Sequence, residues 1–206
     1  MIKQIIFDLG GVIVPDAFKI IRQEIAYHLS IDSEHLSDRI KDLDGKARLG
    51  EISLFQLYQE TLKRLGRNYD DPKDLLDFHL QLYKIHSTKR DSEAVGLVRK
   101  LREEGYGLFF LTNTELEITE FNKGKGLFEL FDKGYFSTEM HMKKPDPKIY
   151  RAVLSDLGEK PRETIFIDDD IENINGALRA FKTINTLKYE NVQQCKMELR
   201  GYGVKV

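Results

Sequence analysis

The stretch Gln4-Ile5-Ile6-Phe7-Asp8-Leu9-Gly10-Gly11 decides the fold. A short apolar run, rich in residues that favour strands and stopped by two glycines, reads as a buried strand of a parallel sheet. Other segments have the same form. Gly107 to Leu111 runs into Thr112-Asn113-Thr114, and Thr164 to Ile167 runs into Asp168-Asp169-Asp170. Lys182 to Thr186 is a weaker version, and Tyr135 to Ser137 is a further short candidate. Helical spacing lies between them, over Ser92 to Glu104, Pro147 to Leu157 and Ile171 to Ala180. Strands alternating with helices of 10–15 residues mean βαβ units and an α/β parallel sheet. A last helix is expected after Tyr189, packed on the sheet edge.

Residues 15 to 87 break this alternation. Their apolar spacing is helical throughout and predicts four helices, Ala17–Leu29, Glu34–Leu43, Leu54–Leu65 and Lys73–His86. A segment of this length exceeds a simple crossover, so it reads as a lid over the sheet.

Composition narrows the class. The chain has 206 residues, 41% hydrophobic and 32% charged, as in ordinary globular proteins. Its 32 basic and 34 acidic residues give a net charge of −2, without the basic excess of a nucleic-acid or membrane-surface binder. One cysteine, Cys195, allows no internal disulfide, and a reducing compartment is the default. No apolar run reaches the ~18–20 residues of a spanning helix. The first 14 residues carry Asp8 and lack a signal-peptide cleavage pattern. The expectation is a cytoplasmic protein, a monomer or homodimer, without nucleic-acid or membrane partners.

In open α/β sheets, ligands bind beyond the carboxyl ends of the strands. Three strands here end in Asp8, in Thr112-Asn113 and in Asp168-Asp169. If they are neighbours, three carboxylates, a hydroxyl and an amide share one crevice. Clustered carboxylates resist ionising together, and a hard cation relieves this. Oxygen donors without clustered histidine or cysteine point to Mg²⁺. Such a site serves phosphate substrates. A lysine suited to phosphate, Lys144, stands in Lys143-Lys144-Pro145-Asp146-Pro147, a loop stiffened by two prolines.

Phe7-Asp8-Leu9-Gly10-Gly11-Val12, Leu111-Thr112-Asn113, Lys144-Pro145-Asp146-Pro147 and Phe166-Ile167-Asp168-Asp169 together resemble, in order, the four motifs of the haloacid dehalogenase-like hydrolase superfamily. The resemblance covers essentially the whole chain. Within it, Asp8-Leu9-Gly10, Leu49-Gly50-Glu51-Ile52-Ser53 and Asp169 to Ile174 look like a bacterial α-D-glucose-1-phosphate phosphatase group. The resemblance implies a Rossmann-like core (residues 1–14 and 88–206), with helices on both faces of a parallel sheet. Residues 15–87 would be its small helical cap. It implies a Mg²⁺-dependent phosphomonoesterase acting on a small phosphorylated metabolite, a sugar phosphate by preference, through an aspartyl-phosphate. Asp8 would be the nucleophile. Asp8, the Gly10 carbonyl and Asp169 would hold the metal, with Asp168 behind them or exchanging roles with Asp169. Thr112 and the Asn113 amide would hold phosphate oxygens, and Lys144 would pair with phosphate and Asp8.

One position departs from that pattern. Most phosphatases of the superfamily carry an acid/base aspartate two residues after the nucleophile, and here that residue is Gly10. General acid–base catalysis is worth about 10²–10⁴-fold. A leaving group that needs less protonation, such as an anomeric oxygen, would offset part of the loss. Gly10 keeps open a phosphate-binding regulatory protein without catalysis, and the shared aspartate nucleophile keeps open a metal-free 2-haloacid dehalogenase. Blander readings fit other residues. Asp170 reads as a helix cap, Lys143 as a solvated charge and Lys123-Gly124-Lys125-Gly126 as a loop. His28, His35, His79 and His86 read as surface or packing residues. Lys46 and Arg48 are candidate substrate contacts.

Overall fold

The structure is a computed structural model. It describes residues 1–67, 70–123, 126, 128–158 and 160–206. Five parallel strands form one sheet: β1 (Gln4–Phe7), β2 (Gly107–Thr112), β3 (Lys133–Phe136), β4 (Thr164–Asp168) and β5 (Asn185–Lys188). Their order is β3-β2-β1-β4-β5. Strand order therefore reverses at β1, and a crevice opens beyond its carboxyl end. Phe7 pairs with Phe110 on one side and Ile167 on the other, which brings Asp8 between the ends of β2 and β4.

Strand pleating sends alternate residues to opposite faces. Ile5, Phe7, Phe110 and Ile167 pack with α5 (Ser92–Glu103) and α10 (Val192–Gly201) on one face. Ile6, Leu111 and Phe166 pack with α8 (Pro147–Leu157) and α9 (Ile171–Ala180) on the other. Burial on both faces explains why the strands read as unbroken apolar runs. The C-terminal helix thus departs from the expected edge position. Val192, Cys195 and Leu199 are fully covered in the first of these cores, and α10 packs on α5.

Four helices separate β1 from α5: α1 (Phe18–His28), α2 (Ser33–Arg48), α3 (Leu54–Arg64) and α4 (Pro72–His86). They bury their own apolar cluster, including Ile21, Ile25, Leu36, Ile40, Leu57 and Leu62. Asp32, Ser53 and Asp71 cap α2, α3 and α4 through their side chains, and Ser53 with Gln56 closes a capping box. Ile118 of a further helix, α6 (Leu116–Lys123), joins this cluster from the sheet side. A short turn of helix, α7 (Ser137–Met140), follows β3.

Two boundaries differ from the expected ones by more than two residues. Helix α2 continues five residues past Leu43, because Gly45 does not stop it and Ala47 is buried. The stop is Gly50, at φ +71°, where a Cβ would lie 2.7 Å from the Thr138 carbonyl oxygen. Strand β5 begins at Asn185, because Lys182 and Thr183 form a turn and Ile184 packs beneath α9. Gly124 and Lys125 of the expected loop lie outside the described residues. Among the described residues no helix is long and apolar enough to cross a membrane.

Candidate active site

The glycines after β1 fold the chain back on itself. Gly10 bridges to Val14, and the Gly11 amide donates to the Val14 carbonyl at 2.7 Å. Gly11 takes φ +73°, and a Cβ there would fall 2.1 Å from Asp169 Oδ2. Its missing side chain is the space that Asp169 occupies.

Asp8 is 9% exposed at the floor of the crevice. Its Oδ1 accepts the Leu9 amide at 2.7 Å, and its Oδ2 faces Lys144 Nζ at 2.9 Å. Burial, then the neighbouring Asp168, push the Asp8 carboxyl up to about 7 against the opposing pull of Lys144. Lys144 is 2% exposed and also donates to Asp168 Oδ2 at 2.6 Å. Burial opposes its charge, but Asp8 and Asp168 outweigh it and hold its pKa above the usual lysine range.

The three carboxylates therefore have different duties. Asp168 is fully buried, and its Oδ1 accepts the Asp170 amide at 2.9 Å and Asn173 Nδ2 at 3.0 Å. With Lys144 on Oδ2, both its oxygens are engaged. Asp169 is half-buried at the surface of the crevice, and burial followed by Asp168 raises its pKa. Oxygen atoms of Asp8, Asp168 and Asp169 lie within 4.8 Å of one another, a spacing that suits one hard cation.

Asn113 has a role that its place in the sequence does not reveal. Its side chain donates to the Lys144 carbonyl and accepts the Lys144 amide, both at 2.9 Å. This reciprocal clasp ties the end of β2 to the loop that carries Lys144. Asn173 similarly fixes Asp168 from α9, and Asp170 caps that helix by accepting the Glu172 amide.

A cavity of about 670 Å³ stands above these groups, bordered by Asp8, Gly10, Thr112, Lys143, Lys144 and Asp169. Lys143, expected as a solvated charge, is half-buried in this wall, with its Nζ beside Gly45 of α2. Arg48 at the end of α2 also borders the cavity; Lys46 is exposed and does not. A narrower inner pocket of about 110 Å³ continues between the sheet and the helical insertion. Its wall includes His79, whose Nδ1 lies 2.7 Å from Tyr58 Oη. Burial, then Arg22, push His79 down to about 4, so the ring is neutral near pH 7.

Comparison with known proteins is consistent with this geometry. A family model described as haloacid dehalogenase-like hydrolase matches residues 2–180. The D-ribitol-5-phosphate phosphatase of Bacteroides thetaiotaomicron is 28% identical, over 97% of this chain and 97% of its own length. The (S)-2-haloacid dehalogenase 4A of Burkholderia cepacia is 29% identical, over 66% of this chain and 60% of its own. The HAD family enzyme bt-2542 of Bacteroides thetaiotaomicron, solved with magnesium and inorganic phosphate, superposes with a TM-score of 0.70. It is 26% identical, covering 92% of this chain and 95% of its own. The finer likeness to a glucose-1-phosphate phosphatase group is not specifically borne out by these relatives.

Proposed function

From the premise that this chain belongs to the haloacid dehalogenase-like hydrolase family, we propose that it is a Mg²⁺-dependent phosphomonoesterase of small phosphorylated metabolites. The observation that carries this reading is the oxygen-only cluster of Asp8, Asp168 and Asp169 around a buried lysine. The donor set fits magnesium, with Asp8, Asp169 and the Gly10 carbonyl as its protein ligands. Asp168, with both oxygens already engaged, orients Lys144 from behind. Magnesium, when bound, supplies neutralisation of charge on the transferring phosphoryl group. We read residues 15–87 as the cap that closes over the substrate.

In this mechanism the phosphoryl group sits above Asp8, with Thr112, the Asn113 amide and Lys144 along its oxygens. An Asp8 oxygen attacks phosphorus, the bond to the leaving oxygen breaks, and that oxygen takes a proton from water. Water then attacks phosphorus, releasing phosphate and restoring the carboxylate. Covalent catalysis splits one hard step into two easier ones. Lys144 is held at Asp8 before substrate arrives, so its charge needs no reorganisation during the reaction. The dehalogenase reading explains neither Asp169 nor its glycine-cut niche, since attack on a carbon–halogen bond needs no metal ion beside the nucleophile.

The deciding measurement is phosphate release from a panel of phosphate monoesters with Mg²⁺, and again with EDTA. Turnover is expected with the ion and its loss with chelator. Halide release from 2-haloacids that survives EDTA would replace this reading with the dehalogenase one.

Gly10 gives a second expectation. A Cβ at Gly10 would meet nothing within 4 Å, and Gly10 borders both cavities. Gly10→Asp therefore adds a carboxylate where the leaving oxygen departs, without a steric penalty. Turnover of esters with poor alcohol leaving groups is expected to rise, by up to about 10²-fold, with little change for p-nitrophenyl phosphate. Equal effects on both leaving groups would mean that the added carboxylate transfers no proton.

A further inference from the structure

The charged lining of the inner pocket is unbalanced. Asp16 and Glu115 are its carboxylates and Arg48 its one cation, since His79 is neutral. Arg48 Nε lies 3.4 Å from Glu115 Oε1, and its guanidinium stands 4.2 Å over the Phe18 ring. The positive charge is thus already matched by Glu115, and Asp16 adds an unmatched negative one. Deeper in, Asn122 Nδ2 donates to Tyr83 Oη at 2.6 Å, which leaves the tyrosine O–H to donate to a ligand. Lys143 borders the outer cavity beside Lys144 and Asp169, and does not reach the inner pocket.

A pocket with two carboxylates, one engaged arginine and several hydroxyl and amide groups repels a second anion and accepts a hydroxylated, neutral group. Its volume also bounds the ligand. About 110 Å³ is smaller than a cavity of roughly 150 Å³ that holds benzene, so a handful of heavy atoms fills it.

We infer that the substrate is a phosphate monoester whose leaving group is small, hydroxylated and free of a second negative charge, and that Glu115 enforces this choice by holding Arg48. This rests on the phosphatase reading and names the substrate class of that same site. Glu115 is a specificity-determining residue in this account. With Glu115 present, a carboxylate or second phosphate on the leaving group meets Glu115 and Asp16 without a free cation. Without its charge, Arg48 becomes available to such a group.

The experiment measures kcat/KM with Mg²⁺ for pairs of similar size and unlike charge. Glycerol 3-phosphate is set against 3-phosphoglycerate, and ethylene glycol monophosphate against phosphoglycolate. The native protein is expected to favour the singly phosphorylated, uncarboxylated partner of each pair by about tenfold or more. Glu115→Gln is expected to shift that ratio toward the more anionic partner by about tenfold, and Glu115→Asp to hold it. A preference for the more anionic partner in the native protein overturns the inference. So does an unchanged ratio in Glu115→Gln when both rates fall together, as a merely structural role would give. The summed phosphate release separates the two levels of the argument. Mg²⁺-dependent release from any of these esters by the native protein keeps the phosphatase reading whatever the ratios show, and its absence from all of them sinks that reading first.

Discussion

Asp8→Asn is expected to reduce Mg²⁺-dependent phosphate release by about 10⁴-fold or more while leaving the protein folded. The carboxamide is nearly isosteric with the carboxylate but cannot form the acyl phosphate bond in the same way. Stability should not fall with activity. Lys144 Nζ contacts both Asp8 and Asp168, so two buried carboxylates share one ammonium in the native site. Asparagine leaves a one-to-one pair with Asp168 and removes a carboxyl whose burial is unfavourable enough to push it up to about 7. The thermal midpoint of metal-free Asp8→Asn is therefore expected to equal or exceed that of the native protein. Phosphate release that persists at a tenth of the native rate would remove Asp8 from the nucleophile's role. Loss of activity with a collapsed midpoint would give it a structural one.

Lys144→Met has the opposite balance. Among the described residues it removes the only ammonium in contact with Asp8 and Asp168, and leaves two buried acids facing each other. Breaking a buried pair in this way costs about 3–5 kcal/mol. For a chain of this size, that lowers the midpoint by more than about 6 °C. Activity should fall as well, because Lys144 lies at the nucleophile and in the cavity wall. The pH dependence distinguishes this cause from simple loss of packing. Asp8 has a folded-state pKa of about 7, raised from 3.8. A raised carboxyl contributes stability that is complete below its unfolded value and is lost as pH rises through its folded value. Without Lys144 that value is higher still, so the deficit of metal-free Lys144→Met should be smaller at pH 5, where only Asp168 lacks its partner, than at pH 8. A deficit of the same size at both would mean that methionine fails by shape rather than by charge. Lys144→Arg restores the charge in a larger head group. It should recover more stability than activity.

The ends of β1, β2 and β4 were readable because burial on both faces makes their interiors apolar, so Asp8, Thr112 and Asp168 stand out where each run stops. The helical insertion was readable from the same periodicity applied at 3.6 residues. What escaped has specific causes. Ile184 looks like strand because it is β-branched and apolar, yet its burial comes from α9 rather than from pairing in the sheet. Helix α2 outruns its expected end at Leu43 because Ala47 carries its buried face one turn further, and the left-handed turn that ends it is at Gly50. The Asn113–Lys144 clasp spans 31 residues and the Arg48–Glu115 pair spans 67. Neither has a local pattern to announce it. The buried Lys144 was named from its motif. Its two carboxylate partners follow from a sheet order that places β4 beside β1, which spacing along the chain does not specify.

Helix α6 begins four residues beyond Thr112, and it grips the helical insertion at both ends. Glu117 accepts the Leu54 amide at the start of α3, and Asn122 holds Tyr83 of α4. Just before the helix, Glu115 holds Arg48 at the end of α2. From the other side of the mouth, His141 Nδ1 lies 2.9 Å from the Leu49 carbonyl oxygen. The roof is thus bolted to the frame along one wall, while the chain enters and leaves it near Pro15 and Ser87, which are themselves joined by a 3.0 Å hydrogen bond. That joint is the natural pivot. Swinging the roof outward must draw all four bolts, and the amide at the head of α3 alone then loses an acceptor worth about 1 kcal/mol.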